Sequence, residues 1–79
     1  MKLMNRLDNY LYDREYKIIV KDGFVDIVNY DEIVDFTLTK ISVRYKNKII
    51  IVEGRDLTIS KMIDNEVLVV GNIEVVRIN

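Results

Sequence analysis

The stretch Lys48–Ser60, KIIIVEGRDLTIS, is the most strongly patterned part of the chain. Its first half, Ile49–Val52, is β-branched and apolar at every position, which is typical of a strand buried on both faces. Beyond Gly54, apolar and polar residues alternate as far as Ser60, as they do in a strand with one buried face. The stretch therefore predicts two strands that meet at a glycine turn, at the centre of an all-β domain.

The same period of two runs from Tyr16 to the end of the chain and is interrupted by short turn signals. Strand centres recur about every eight residues, which is too close for crossover helices, so neighbouring strands should be chiefly antiparallel. We expect one domain over residues 16–79, a small antiparallel meander of about eight short strands, built as a sandwich, a barrel or a β-roll. The residues assigned to structural turns are Gly23, Asn29, Gly54 and Gly71.

Residues 1–15 carry a different pattern, that of a short helix followed by a polar joint. An apolar stripe with helical spacing lies within Met1–Tyr12 and consists of Leu3, Met4, Leu7 and Leu11. A helix of about ten residues is marginal in isolation, so its stripe should dock on another surface. We expect that surface to be the domain's own sheet, with a partner or a membrane surface as the alternative.

Composition excludes several kinds of site. The 79-residue chain has no cysteine and no histidine, so it lacks disulfides, thiolate metal sites, imidazole bases and the histidine of a catalytic triad. No calcium-loop spacing occurs among its carboxylates, and we expect neither a cofactor nor a metal. The net charge of −1 supplies no long-range attraction for nucleic acid or an anionic membrane. The sequence predicts a non-enzymatic cytoplasmic protein without a membrane-spanning helix.

Two runs, Ile49–Val52 and Val67–Val70, are apolar on both faces, although a single small sheet has only one dry side. Either both faces are internal to a closed roll, or one of them meets another protein. The candidate interface residues are Ile50, Val52, Leu68 and Val70. Because a chain of this size without disulfides is only marginally stable, we favour association, as a homo-oligomer or with another protein.

A second candidate surface is basic. Lys40, Arg44 and Lys46 share one face of a predicted strand and would follow a phosphate backbone in a small nucleic-acid-binding barrel of the Sm-like or oligonucleotide-binding type. Tyr45 falls on the opposite face of that strand, so no aromatic stacking platform accompanies the basic residues. A solvated strand face is the more common origin of such a pattern. Nucleic-acid binding is therefore the alternative function.

The order of segments from Tyr16 to Ile78 resembles the YabP/YqfC family of small endospore-formation proteins. The resemblance rests on Val25–Tyr30 (VDIVNY), on Ile51–Ile59 (IVEGRDLTI) and on Glu66–Ile73 (EVLVVGNI). It implies a non-enzymatic protein of the mother-cell compartment, without a defined cofactor, that acts in spore coat or forespore-envelope assembly. Its partners would be further copies or other sporulation proteins, with any membrane association indirect. Met1–Tyr12 lies outside the resemblance.

Overall fold

The computed structural model describes residues 16–79, so the helix predicted for Met1–Tyr12 lies outside the described residues. The strands of the described part are β1 (Lys17–Lys21), β2 (Phe24–Val28), β3 (Glu32–Phe36), β4 (Lys40–Tyr45), β5 (Lys48–Ile63) and β6 (Glu66–Ile78). They form one antiparallel sheet of order β1-β2-β6-β5-β4-β3, which confirms the all-β antiparallel prediction. Most ladders join consecutive strands, as expected for a meander, and the exception joins β2 to β6.

Two strands are longer than the sequence pattern predicts, and two of the predicted turns are wrong. Gly54 lies inside β5 and Gly71 inside β6, so the segments on either side of each glycine belong to one strand. The described chain therefore has six strands where about eight were expected. The ladder between β5 and β6 shifts register beside Gly54, and a glycine within a strand commonly marks such a bulge or bend. Gly23 and Asn29 do lie in connections, with φ of 91° and 69°.

The irregularities in β5 and β6 divide the sheet into two parts. β4 pairs with the first part of β5, Lys48–Glu53, and carries β3 on its other side. β2 pairs with the first part of β6, Glu66–Val70, and carries β1 on its other side. We call these parts the β4 half-sheet and the β2 half-sheet. The second part of β6 completes the β4 half-sheet, and the second part of β5 completes the β2 half-sheet.

The inward faces of both half-sheets contribute to one hydrophobic core. Successive side chains of a strand point to opposite faces, so every second residue of β2, β4 and the first parts of β5 and β6 is buried. The buried members of the core are Val25, Ile27, Tyr30, Ile41, Val43, Ile50, Val52, Leu57, Val67 and Val69. The ring of Tyr16 lies 4.8 Å from that of Tyr45, centroid to centroid, so the chain that enters β1 contacts the end of β4.

The backbones of β5 and β6 approach each other closely at two glycines. A Cβ atom on Gly54 would lie 3.0 Å from the carbonyl carbon of Asn72 and closer still to its oxygen. A Cβ atom on Gly71 would lie 2.7 Å from the carbonyl oxygen of Asp56, and its φ of 147° also disfavours a side chain. A side chain at position 54 would therefore clash with the neighbouring backbone. At position 71 it would clash with the backbone and would also adopt an unfavourable φ.

Candidate interaction surfaces

The outward face of the β2 half-sheet, which we call the β2 outer face, is largely apolar. Residues paired across antiparallel ladders share a face, so rows of side chains can be followed from β1 through β2 and β6 to β5. The middle row runs Ile19, Asp26, Leu68 and Lys61. The half-buried apolar side chains of this face are Ile19, Phe24, Val28, Leu68 and Val70. Ile63, which pairs with Glu66, lies at the margin of the same face and is exposed.

Asp26 places a carboxyl group in the middle of this apolar face. Its Oδ1 atom is out of contact with solvent and has no hydrogen-bond partner among residues 16–79. Burial raises the pKa of Asp26, and a hydrogen bond with Glu66 and the charge of that residue raise it further, against the opposing charges of Lys61 and Lys17. The environment within one copy therefore disfavours the ionised carboxylate.

The four residues predicted to form an interface lie in two different places. Ile50 and Val52 have no exposed surface and belong to the core. Leu68 and Val70 are half-buried and point outward on the β2 outer face. The runs that are apolar on both faces thus have one face in the core and one directed outward. A partner of the folded domain would contact Leu68 and Val70 rather than Ile50 and Val52.

The basic residues Lys40 and Arg44 lie on the outward face of β4, beside carboxylates of β3. Arg44 Nη2 is 2.7 Å from Glu32 Oε2, and Lys40 Nζ is 3.9 Å from Asp35 Oδ2. Exposed pairs of this kind contribute only about 0–1 kcal/mol each to stability, but they neutralise the basic strand. A phosphate backbone bound here would have to compete with both carboxylates.

Lys46 does not share the strand face of the other two basic residues, because the turn between β4 and β5 begins at this position. Its φ is 55°, and its backbone N–H donates a 2.6 Å hydrogen bond to Asp31 Oδ2. Its Nζ atom lies 5.4 Å from the centroid of the Tyr45 ring, within the range of a cation–π contact. The single row of three basic residues expected from the sequence is therefore not formed.

The outward face of the β4 half-sheet, which we call the β4 outer face, is buried at its centre. Ser42 pairs with Ile51 across the ladder, and these side chains are only 2% and 7% exposed although both point away from the core. Ser42 Oγ and Arg44 Nε have neither solvent contact nor a hydrogen-bond partner within the described part of the chain. The strand face that carries Lys40 and Arg44, interpreted from the sequence as a solvated face, is therefore buried at its centre. Alternation identifies the inward face but does not tell what covers the outward one.

Further apolar side chains are exposed at the margins of the sheet. On and just beyond the edge strand β3, Phe36 and Leu38 are 57% and 63% exposed. An open groove of about 430 Å³ lies between the end of β1 and the second part of β6, lined by Val20, the Asp22-Gly23 turn and Val75.

Within residues 16–79, no group of three or more acidic side chains is arranged to hold a metal ion. No helix in the same range has the length and apolarity that a membrane crossing requires.

Comparisons with known proteins identify no relative. A scan against protein-family models, a search of curated proteins and a search of solved structures find no match to this chain. The two outer faces are therefore the features of the chain that bear on its function.

Proposed function

We propose that this chain is a non-enzymatic interaction protein that self-associates through the β2 outer face. The observation that carries the proposal is the group of apolar side chains half-buried around Asp26 on a face directed away from the core. A contiguous apolar face is unusual on a monomer and commonly marks a contact with another protein. Leu68 and Val70 lie on an inner strand of this face, where contact energy is usually concentrated.

The charges of the β2 outer face favour a second copy of the chain as the partner. β1 brings Lys17 and Lys21 to one side of the face, while Asp26 and Glu66 lie on the adjacent strands β2 and β6. In a two-fold symmetric contact the same patch occurs on both sides, so the basic side of one copy can meet the acidic centre of the other. That arrangement would also provide a donor for the buried Oδ1 atom of Asp26.

The resemblance to the YabP/YqfC family supports a role in spore coat or forespore-envelope assembly, in the mother-cell cytoplasm and without a cofactor. Two glycines of the resembling segments, Gly54 and Gly71, are those at which β5 and β6 approach each other. A small β module that associates with further copies or with another envelope protein suits such an assembly. A fluorescent fusion in a sporulating host tests this role. An even distribution in the mother cell, with no enrichment around the forespore, would contradict it.

The alternative of a small nucleic-acid-binding barrel has less support. Lys40 and Arg44 each pair with a carboxylate, and Lys46 lies in a turn. The net charge of −1 adds no general attraction for a phosphate backbone. Self-association therefore remains the function that the surface chemistry favours.

Replacing Val70 with lysine is expected to dissociate the self-associated form while the domain stays folded. Val70 points outward from β6, so the ammonium group can reach solvent in a single copy but would be desolvated in the contact, in the same row as Lys21. We expect a loss of about 2 kcal/mol, or roughly thirtyfold in the dissociation constant. Sedimentation velocity over a micromolar dilution series measures the loss, and circular dichroism checks the fold.

Val20→Lys is the matched control for this variant. Val20 is exposed and belongs to the row of β1 that faces away from the β2 outer face. This variant should associate as strongly as the parent chain. A parent chain that is monomeric throughout the dilution series, or equal weakening in both variants, would contradict the proposed interface.

Asp26→Asn is expected to stabilise the domain near neutral pH. Because the pKa of Asp26 is raised, the folded chain binds a proton more readily than the unfolded chain, and the parent gains stability as the pH falls through the raised pKa towards the ordinary value of 3.8. Asparagine keeps a donor for Glu66 and removes the charge at every pH, for a gain of up to about 1 kcal/mol. Urea unfolding should show this advantage near pH 7 and a smaller one near pH 4. An advantage independent of pH would contradict the role of the ionised carboxylate.

A further inference from the structure

The buried centre of the β4 outer face requires a cover, and we propose that residues 1–12 of the same chain supply it, packed as an amphipathic helix over Ser42 and Ile51. Two outward side chains of the same sheet differ in exposure. Leu68, at the centre of the β2 outer face, is half-buried, whereas Ile51, at the centre of the β4 outer face, is 7% exposed. Both side chains lie on strands with a neighbour on each side, so strand pairing alone does not account for the difference.

The charged side chains of the β4 outer face pair with one another and remain in contact with solvent. Arg44 pairs with Glu32, and Arg77 pairs with Glu53, with every one of these side chains at least one-third exposed. Ser42 Oγ and Arg44 Nε, in contrast, are out of solvent and have no hydrogen-bond partner within residues 16–79. Since buried polar atoms are normally hydrogen-bonded, these two atoms point to a covering segment that can offer acceptors.

The N-terminal segment starts from the right place to reach this face. Tyr16 contacts the ring of Tyr45, which follows Arg44 at the end of β4. From Arg44 to Lys40, β4 extends about 13 Å at roughly 3.3 Å per residue. A helix of ten to twelve residues is about 15–18 Å long. After a turn at residues 13–15, such a helix laid along β4 would cover Ser42 and Ile51.

The composition of the segment suits the surface beneath it. The outward residues Ile49 and Ile51 offer an apolar floor, and the stripe that would rest on it consists of Leu3, Met4, Leu7 and Leu11. Asp13 and Glu15 carry carboxylates within three residues of Tyr16 in the sequence. In the proposed arrangement, either one could supply the acceptor that the Nε–H of Arg44 lacks at the end of β4. The cover concerns a different face from the proposed self-association and does not depend on it.

A spin label in the full chain tests the position of the segment. The chain has no cysteine, so Asn9→Cys creates a unique attachment site, on the polar side of the predicted helix. We expect a nitroxide at this site to broaden the amide NMR signals of Ser42 and Ile51 and to leave those of Leu68 and Val70 sharp. Broadening centred on Leu68 and Val70, or on neither face, would overturn the proposal.

A mixed sample decides whether the cover comes from the same chain. Spin-labelled chain without isotope enrichment is mixed with ¹⁵N-enriched chain that carries no label. The broadening at Ser42 and Ile51 should then disappear. Broadening that persists would mean that the segment of one copy lies on the sheet of another, which overturns an intrachain cover.

A charge placed in the stripe completes the test. Leu7→Asp, combined with the Asn9→Cys label, should abolish the broadening at Ser42 and Ile51. Asn5→Asp adds the same charge to the polar side of the predicted helix and should preserve it. Broadening that survives Leu7→Asp would contradict docking through the stripe. If Leu7→Asp unfolds the domain, the labelled parent and the mixed sample decide the question by themselves.

Discussion

Gly54→Ala is expected to remove about 4 kcal/mol or more of folding free energy, more than overpacking of a flexible core usually costs. The added methyl group would meet the backbone carbonyl of Asn72, and this backbone cannot retreat without breaking the ladder between β5 and β6. A domain of this size has a total unfolding free energy of roughly 4–12 kcal/mol. Most or all of the folded population should therefore be lost, as measured by circular dichroism and urea unfolding at 25 °C.

Gly23→Ala is the control for Gly54→Ala, since it makes the same chemical change where space is available. No atom lies within 4 Å of the position that a Cβ on Gly23 would occupy, but its φ is 91°. The expected loss of folding free energy comes only from holding alanine at a positive φ, and it is about 1–2 kcal/mol. Equal losses at the two positions would show that close approach at Gly54 is not the decisive factor.

Ile50→Lys is the second substitution with a large expected effect, and it should unfold the domain. Ile50 has no exposed surface in the core. The loss of a buried isoleucine costs about 2–5 kcal/mol, and burial of an unpaired ammonium group adds several kcal/mol. The sum equals or exceeds the stability of a small domain, so no cooperative thermal transition should remain in differential scanning calorimetry.

Ile63→Lys makes the same exchange further along the same strand. Ile63 lies at the end of β5 and is exposed, so its lysine can remain in water. The expected change in unfolding free energy is within about 0.5 kcal/mol, as for other surface substitutions. A folded Ile50→Lys variant that had lost only its self-association would mean that Ile50 is an interface residue and not a core residue.

Local patterns predicted the class of fold because period-two alternation directly reports which side of a strand is buried. The alternation around Val25, Ile41 and Val43 was sufficient to identify inward residues. Ile50 and Val67 lie in runs that are apolar at every position, where no alternation distinguishes the inward face from the outward one. The glycines were harder to interpret from sequence. A glycine is equally compatible with a turn that needs positive φ, as at Gly23, and with a strand that needs space, as at Gly54. The difference depends on a distant backbone, that of Asn72, which the local sequence does not contain.

The outer faces were less predictable because their properties depend on which strands become neighbours. Asp26 looks like one of several solvated acidic residues in sequence, but the pairing of β2 with β6 places it between Leu68 and Ile19. The basic residues Lys40 and Arg44 look like a binding strip until β3 brings carboxylates beside them. In each case the decisive partner comes from another strand.

The ladder between β2 and β6 has a consequence for how the chain folds. It joins Val28 to Glu66, whereas the other ladders join strands that follow each other in sequence. Closing a loop of about 40 residues costs more chain entropy than forming adjacent hairpins, so this ladder should form last and open first. Its opening would free one edge of β6 while β3, β4 and β5 remain paired. Two copies opened in this way could exchange their β1-β2 hairpins, and slower hydrogen exchange in β4 than in β2 would reveal the order of opening.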